Sequence, residues 1–223
     1  MNKLIAMNKL TAAVTLTFVC AMTAPAAQLR VSVKDQHGRP VADAVVLATP
    51  DEPKSALRAK PPPDTVDQVD KQFVPYVKPI YVGSRVRFPN SDHIRHQVYS
   101  FSPAKKFELP LYAGTDAPPI VFDKPGVVIL GCNIHDWMIG YIYVSDTPFF
   151  AKTETHGAAS IDDLPPGGYS VRIWHPGMEK AEETTLQRVT LAADGAASLE
   201  WQLNLKPGIR VPRVSGAGSP GYP

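Results

Sequence analysis

Cysteine is scarce in this chain, because only Cys20 and Cys132 occur among its 223 residues. Two cysteines allow at most one disulfide, which excludes a small fold held together by several bridges. An excess of charge of one sign is also missing, since 23 basic residues face 21 acidic ones. This balance argues against nucleic acid as a partner. The 44% of hydrophobic residues suits a globular protein with a substantial core.

The apolar run near the N-terminus, from Leu10 to Met22, is shorter than the roughly 20 residues that a membrane-spanning helix needs. Two lysines precede the run, and the small residues Ala24-Pro25-Ala26 follow it. This pattern predicts a secretory signal peptide over residues 1–26 and a periplasmic mature protein without a membrane span. A retained membrane anchor and a lipoprotein attached through Cys20 are the alternatives.

Removal of the signal peptide would leave Cys132 as the single cysteine of the mature chain. It would also remove two lysines and no acid, so that 21 basic residues would balance 21 acidic ones. An unpaired thiol in an oxidising compartment is prone to oxidation. Three roles would explain it: a bond to a covalent partner, a catalytic nucleophile or a metal ligand.

Short runs rich in Val, Ile, Phe and Tyr recur along the chain, separated by Gly, Pro and Asn and without a helical period. Such runs predict an all-β protein built as a sandwich or barrel. The predicted strands are Leu29 to Val33, Val41 to Ala48, Phe73 to Val77, Ile80 to Val82, Arg85 to Phe88, Gln97 to Phe101, Ile120 to Phe122, Gly126 to Leu130, Gly140 to Val144, Phe149 to Lys152, Ala158 to Ile161, Tyr169 to Trp174, Glu182 to Leu191 and Ala197 to Leu205.

Changes in composition predict the domain boundaries. Residues 51–64 are rich in Pro, Lys and acid and are predicted to be an extended linker. Residues 65–146 form one predicted domain, and residues 28–50 together with 147–205 form a second small β-sandwich. The tail, 206–223, is heavy in Pro and Gly and is predicted to be disordered.

A thiol, an imidazole and a thioether recur at every third residue between two predicted strands, as Cys132, His135 and Met138. A loop that joins two strands can turn all three groups toward one point. A second imidazole, that of His96, stands at the start of another predicted strand. Two His and one Cys with a weak axial Met form the ligand set of blue-copper sites.

Each of these residues taken alone has an ordinary structural explanation. A single His in a β protein is commonly a surface or core residue, and a Met commonly fills gaps in a core. The joint occurrence of all four types around the single mature cysteine favours a metal site. His93 is a competing ligand for the position of His96, whereas His37, His156 and His175 lack ligand spacing.

Residues 65 to 145 resemble a cupredoxin, and the two-residue gaps on both sides of His135 are similar to those of the amicyanin group. The strand that leads to the first His, Gly83 to Asn90, is also similar to the family's. The resemblance implies a Greek-key β-sandwich with one type 1 copper ion. It implies His96, Cys132 and His135 as equatorial ligands and Met138 as the axial ligand.

Two residues beside the first His depart from the family pattern. The family usually has Asn directly after this His, where it ties the two ligand loops together, and Pro directly before it. This chain has Gln97 and Arg95 at those positions.

The flanking segments resemble a second family, the carboxypeptidase-regulatory or transthyretin-like sandwich, which has an Ig-like β-fold. The matching patterns run from Asp35 to Ala44 and from Asp163 to Tyr169. This resemblance implies a discontinuous domain into which the copper module is inserted; independent hairpins packed on one sandwich are the alternative. Chains that are similar in both parts are often labelled methylamine-utilisation proteins.

Three functions of different classes follow from the predicted site. An electron carrier would exchange single electrons with a periplasmic redox protein, such as a dehydrogenase or a c-type cytochrome. A copper enzyme of the oxidase or nitrite-reductase kind would need His-x-His pairs, and the sequence has none. A copper carrier or sensor, or a partner-docking module without electron transfer, is the alternative to the electron carrier.

Overall fold

The computed structural model describes residues 27–52, 63–113 and 117–207, and nearly all of the regular structure in these ranges is β-strand. The prediction of an all-β sandwich protein is therefore confirmed. The strands are β1 (Ala27–Asp35), β2 (Val45–Pro50), β3 (Asp64–Thr65), β4 (Asp67–Val69), β5 (Gln72–Val74), β6 (Val77–Tyr81), β7 (Arg85–Arg87), β8 (His96–Ser102), β9 (Lys105–Tyr112), β10 (Ile120–Val121), β11 (Gly126–Gly131), β12 (Ile139–Ser145), β13 (Phe150–Lys152), β14 (Ala158–Leu164), β15 (Gly167–Trp174), β16 (Gln187–Leu191) and β17 (Ala196–Leu203).

The strands from β3 to β12 form one sandwich, called sandwich A. Its larger sheet has the order β6-β12-β11-β8-β9, its smaller sheet has the order β10-β7-β3, and β4 pairs with β5 as a hairpin. Burial alternates along β8, as expected for a strand with one face on a core. The core of sandwich A lies between the two sheets and includes Phe88, Phe122, Leu130 and Ile142.

The remaining strands form a second sandwich, called sandwich B. One sheet has the order β14-β1-β17, and the other has the order β13-β2-β15-β16. Its core includes Leu29, Val46, Tyr169 and Trp201. These strands come from both sides of sandwich A in the sequence.

The two sandwiches share an apolar interface. Val77 and Tyr143 from sandwich A are buried together with Val45 and Leu47 from sandwich B. Trp174 packs against this group, with its ring 5.3 Å from that of Tyr143 between centroids. Aromatic rings at this separation contribute about 0.5–1.5 kcal/mol beyond the area that they bury.

A polar contact crosses the same interface. The Tyr143 hydroxyl lies 2.8 Å from Glu182 Oε2, and Arg172 Nη1 lies 3.2 Å from Glu182 Oε1. Burial, and then the nearby Glu182 charge, raise the pKa of Tyr143. The pKa of Glu182 is also raised, because burial outweighs the stabilising contacts with Tyr143 and Arg172.

The structure differs from the predicted strands in several places. Strands β3 and β4 were not predicted, and the predicted strand Phe73 to Val77 is divided between β5 and β6. The predicted strand Glu182 to Leu191 begins instead with a 3-10 helix, Glu182–Thr185, whose Thr185 hydroxyl accepts a hydrogen bond from Ile173 N at 2.8 Å. Strand β2 begins at Val45 and not at Val41, because Asp43 has a positive φ of 61° that interrupts an extended chain.

Strand β9 was not predicted either. It lies at the edge of the larger sheet, and its Lys106 and Glu108 are exposed, whereas Phe107 is half-buried and Leu109 is buried. Its Pro110 is a residue that sheets accept only at edges or bulges, which weakened the strand signal in the sequence.

Three predictions concern residues that the structure does not describe, wholly or in large part. The signal peptide 1–26, most of the linker 51–64 and nearly all of the tail 206–223 lie outside the described residues. Within the described ranges, no helix is long and apolar enough to cross a membrane.

We expect Gly140→Ala to destabilise the protein by about 1–3 kcal/mol, because an added methyl overpacks the core. A Cβ at this position would lie 2.7 Å from Phe73 Cβ, a buried side chain. Urea unfolding of the metal-free protein measures the effect. Gly195→Ala is the control, since its Cβ would lie no closer than 3.3 Å to its neighbours. Equal losses in both variants would contradict the close contact with Phe73.

We expect Glu182→Gln to change how stability depends on pH. A carboxyl whose pKa is raised in the folded protein binds a proton more tightly when folded than when unfolded. Its contribution to the free energy of unfolding is therefore greatest below the ordinary Glu pKa and falls as the pH rises through the raised value. The wild type should lose stability relative to the variant in that window.

Urea midpoints in steps from about pH 4 to pH 8 would measure this difference. Glu200→Gln is the control, since Glu200 is a glutamate with an exposed side chain and, unlike Glu183, does not raise the pKa of Glu182 through its charge. A difference between wild type and Glu182→Gln that does not change with pH would disprove the expectation.

Candidate metal centre

The predicted ligands lie at one end of sandwich A because of how three strands pair. In the antiparallel pair of β11 and β12, Gly131 lies opposite Ile139, so residues 132–138 form a closed loop at the strand ends. Gly131 also lies opposite Tyr99 of β8. This pairing brings the start of β8, where His96 stands, to the same end of the sheet as the loop.

His96, Cys132 and His135 come together in a buried group. Cys132 Sγ lies 3.9 Å from His96 Nδ1 and 3.8 Å from His135 Nδ1. One potential ligand atom from each residue lies within 4.8 Å of those of the other two. Their exposed fractions are 0% for His96, 3% for Cys132 and 9% for His135. Both imidazoles therefore present Nδ1 to one free thiol away from bulk water.

Met138, the fourth predicted ligand, closes the loop. Its backbone N–H donates to His135 O at 2.9 Å, which folds the loop back toward β12. The side chain is 1% exposed and belongs to the same core cluster as Cys132. The structure thus places the thioether in the buried region that holds the thiol.

The outer nitrogen of His96 faces a carboxylate that sequence analysis missed. His96 Nε2 lies 2.7 Å from Asp92 Oδ2. Burial works to raise the pKa of Asp92, but contacts with the backbone N–H groups of Lys71 and Asp70 and with the His96 ring hold it below its usual range. The only signal in the sequence was that Asp92 stands four residues before the candidate ligand His96. This signal is weak, because the conformation of the loop decides whether the two side chains meet.

His135 lies at the edge of the protein, beside apolar surface. Its ring centroid is 5.0 Å from that of His96 and 5.2 Å from that of Trp137. The neighbouring Ile134 is 50% exposed. The buried group therefore reaches close to an apolar patch of surface through one of its imidazoles.

The β4–β5 hairpin braces both ligand loops. On one side, Gln68 N donates to Pro89 O at 3.1 Å, and Ser91 Oγ donates to Asp67 Oδ2 at 2.7 Å. On the other side, Phe73 packs on Gly140, two residues beyond Met138. No predicted feature of the sequence pointed to this brace, since the first predicted strand of this domain was Phe73 to Val77.

Gln97 and Arg95, which flank His96, point away from the buried group, and Asn90 holds the loop in their place. Gln97 Nε2 donates to Glu108 Oε1 at 2.5 Å on the exposed side of β8. Asn90 holds the loop before His96, donating to Ile94 O at 2.9 Å and to Tyr112 O at 2.8 Å. Arg95 is exposed.

The other histidines stand apart from this site. His93, the competing ligand, is exposed and lies outside the group of three. His175 Nδ1 accepts a hydrogen bond from Gly177 N at 3.0 Å, and burial lowers its pKa. Of the residues that the structure describes, His96, Cys132 and His135 make up the one group of at least three possible ligands that converge in this way.

The donor set suits copper. A thiolate and a thioether are soft donors that favour Cu(I), whereas imidazoles also suit Cu(II). The two Nδ1 atoms and Sγ already face one another, and the site is buried. These residues therefore fit a copper ion.

No protein-family model matches this chain, and no curated protein matches it. Among solved structures, a Cu-containing nitrite reductase from Thermus scotoductus SA-01 is similar, with 28% identity and a TM-score of 0.36 over 44% of this chain and 27% of that chain. A purple cupredoxin from Nitrosopumilus maritimus has 24% identity and a TM-score of 0.33 over 37% of this chain and 99% of its own.

An oxidised amicyanin in which one methionine is replaced by leucine has 17% identity and a TM-score of 0.34 over 44% of this chain and 98% of its own. The chain spans about a quarter of the length of the nitrite reductase that it matches. Each of these likenesses covers less than half of this chain.

Proposed function

We propose that this protein holds one type 1 copper ion and transfers single electrons between redox partners in the periplasm. The observation that carries the proposal is the buried convergence of His96 Nδ1, His135 Nδ1 and Cys132 Sγ. Copper held by such donors changes between Cu(II) and Cu(I) by gaining or losing one electron. The chain's own part is to keep the donors in a fixed arrangement that serves both states.

The burial of the ligands favours electron transfer over catalysis on a substrate. The thiol is 3% exposed, and Met138 at 1% fills the same side of the core. A substrate that must bind directly to the metal needs an open coordination position. We therefore propose that the protein is not an enzyme.

Burial also argues against a copper carrier or sensor. A carrier has to release its ion to a partner, which is easier when ligands lie on a mobile, exposed segment. Here His96 is fully buried on a paired strand, and its loop is held by Asn90 through two hydrogen bonds. A site built in this way is suited to retaining its ion.

The apolar surface around His135 is the proposed path for electrons. Ile134 at 50% and Ile94 at 41% are exposed near this end of the sandwich, and the Trp137 ring lies beside the His135 ring. A redox protein with an apolar docking surface, such as a dehydrogenase or a c-type cytochrome, would fit there. Electrons would then leave the site through the imidazole nearest the surface.

The visible absorption spectrum of the mature protein loaded with Cu(II) tests the proposal. We expect an intense blue thiolate-to-copper band that is absent in Cys132→Ser, because the serine hydroxyl cannot supply the thiolate charge transfer. Titration to one copper per chain should saturate the band.

His93→Ala is the matched control, since His93 is an exposed histidine in the same loop as His96. It should keep the full band, whereas His96→Ala should lose it. A pale or absent band in the wild type would reject the type 1 site. A band with very rapid loss of copper to a chelator would favour the carrier.

A further inference from the structure

His96 has a defined hydrogen-bond partner on the side that faces away from Cys132. Its Nε2 atom lies 2.7 Å from Asp92 Oδ2, while its Nδ1 atom faces Cys132 Sγ at 3.9 Å. An ionised carboxylate has no proton to donate, so the ring must donate through Nε2–H. In the neutral ring, the lone pair of Nδ1 is then directed toward the thiol, as a metal ligand requires.

The carboxylate is itself fixed from behind. Asp92 Oδ1 accepts the backbone N–H of Asp70 at 2.7 Å, and Oδ2 accepts that of Lys71 at 2.9 Å. These two residues form the turn of the β4–β5 hairpin, with positive φ angles of 53° and 59°. The turn thus points two adjacent donors at one carboxylate, whose side chain is 14% exposed.

The hairpin cannot shift easily, because both of its strands are anchored. Gln68 is fully buried, with Nε2 donating to Pro89 O at 3.1 Å, and Phe73 is 2% exposed in the core. The position of Asp92 is therefore set by the packing of sandwich A.

We infer that Asp92, held by the β4–β5 turn, is a positioning residue that locks His96 as the Nε2–H tautomer and stabilises bound Cu(II) relative to Cu(I). This inference rests on the proposed function. A carboxylate bonded to the outer nitrogen makes an imidazole a stronger donor. Its negative charge, poorly screened by water, also favours the more highly charged ion.

Removal of this contact should change the midpoint potential of the bound copper in one direction. Asp92→Ala weakens donation from His96 and removes a nearby negative charge, so Cu(II) should lose more affinity than Cu(I). Partners of metal ligands typically affect affinity by about 10–100-fold. A loss of that size confined to Cu(II) raises the midpoint potential by about 60–120 mV, at 59 mV for each tenfold change in a one-electron couple.

The first test uses the metal-free wild type and nitrogen NMR of isotope-labelled histidine. We expect His96 to carry its proton on Nε2 and that proton to exchange slowly with water. Asp92→Ala should remove the slow exchange. A wild-type His96 that is protonated on Nδ1, or whose Nε2 proton exchanges freely, would overturn the inference even if copper binds.

The second test compares the midpoint potentials of copper-loaded variants. Asp92→Ala should raise the potential by the amount given, and Asp92→Asn should raise it less, since an amide oxygen can still accept from Nε2–H. Asp136→Asn is the matched control, because it removes an exposed carboxylate beside His135. If Asp92→Ala does not fold, Asp92→Asn decides the sign.

The outcomes separate the two proposals. If the blue band is present but the Asp92 variants change the midpoint potential no more than Asp136→Asn does, the inference is overturned and the proposed function stands. A wild type without a blue band would reject the proposed function, while the NMR of the metal-free protein would still decide the role of Asp92.

Discussion

The antiparallel register of β11 and β12 is the constraint on which the candidate site depends. It sets Gly131 opposite Ile139, so that the loop between them begins with Cys132 and ends with Met138. A shift by one residue would turn every side chain of a strand to the opposite face. The three donors would then no longer share one buried space. The positions of the candidate ligands are therefore fixed by the pairing of the strands that carry them.

Sandwich B packs against the same sheet that carries the ligand loop. The outward side chains of β12 and β6, Tyr143 and Val77, are buried against Val45 and Leu47. The inward side chains of β12, including Ile142, pack in the core that also holds Cys132. Strand β12 therefore has a core on both faces. The interface and the candidate site are built on opposite sides of one strand, which couples the second sandwich mechanically to the ligand loop.

The sequence was most informative where local pattern decides structure. Alternating apolar runs predicted most strands, and the spacing of Cys132, His135 and Met138 predicted a shared loop. The edge strand β9 was missed because its polar residues and Pro110 reflect contact with water on one side. Asp92 was missed because its role depends on the β4–β5 turn, which is distant in sequence. Contacts that two loops create together leave no periodic signal in either of them.

The close contact of Gly140 with Phe73 also limits the order in which these positions can change during evolution. A larger residue at 140 would meet the Phe73 side chain at 2.7 Å, so it is acceptable only after residue 73 has become smaller. A smaller residue at 73 alone would open a cavity in the core. Each single step is therefore costly, although the double change need not be. Substitutions at the two positions should therefore occur together. The contact between the hairpin and the ligand loop should change more slowly in evolution than either residue would if it were free to change alone.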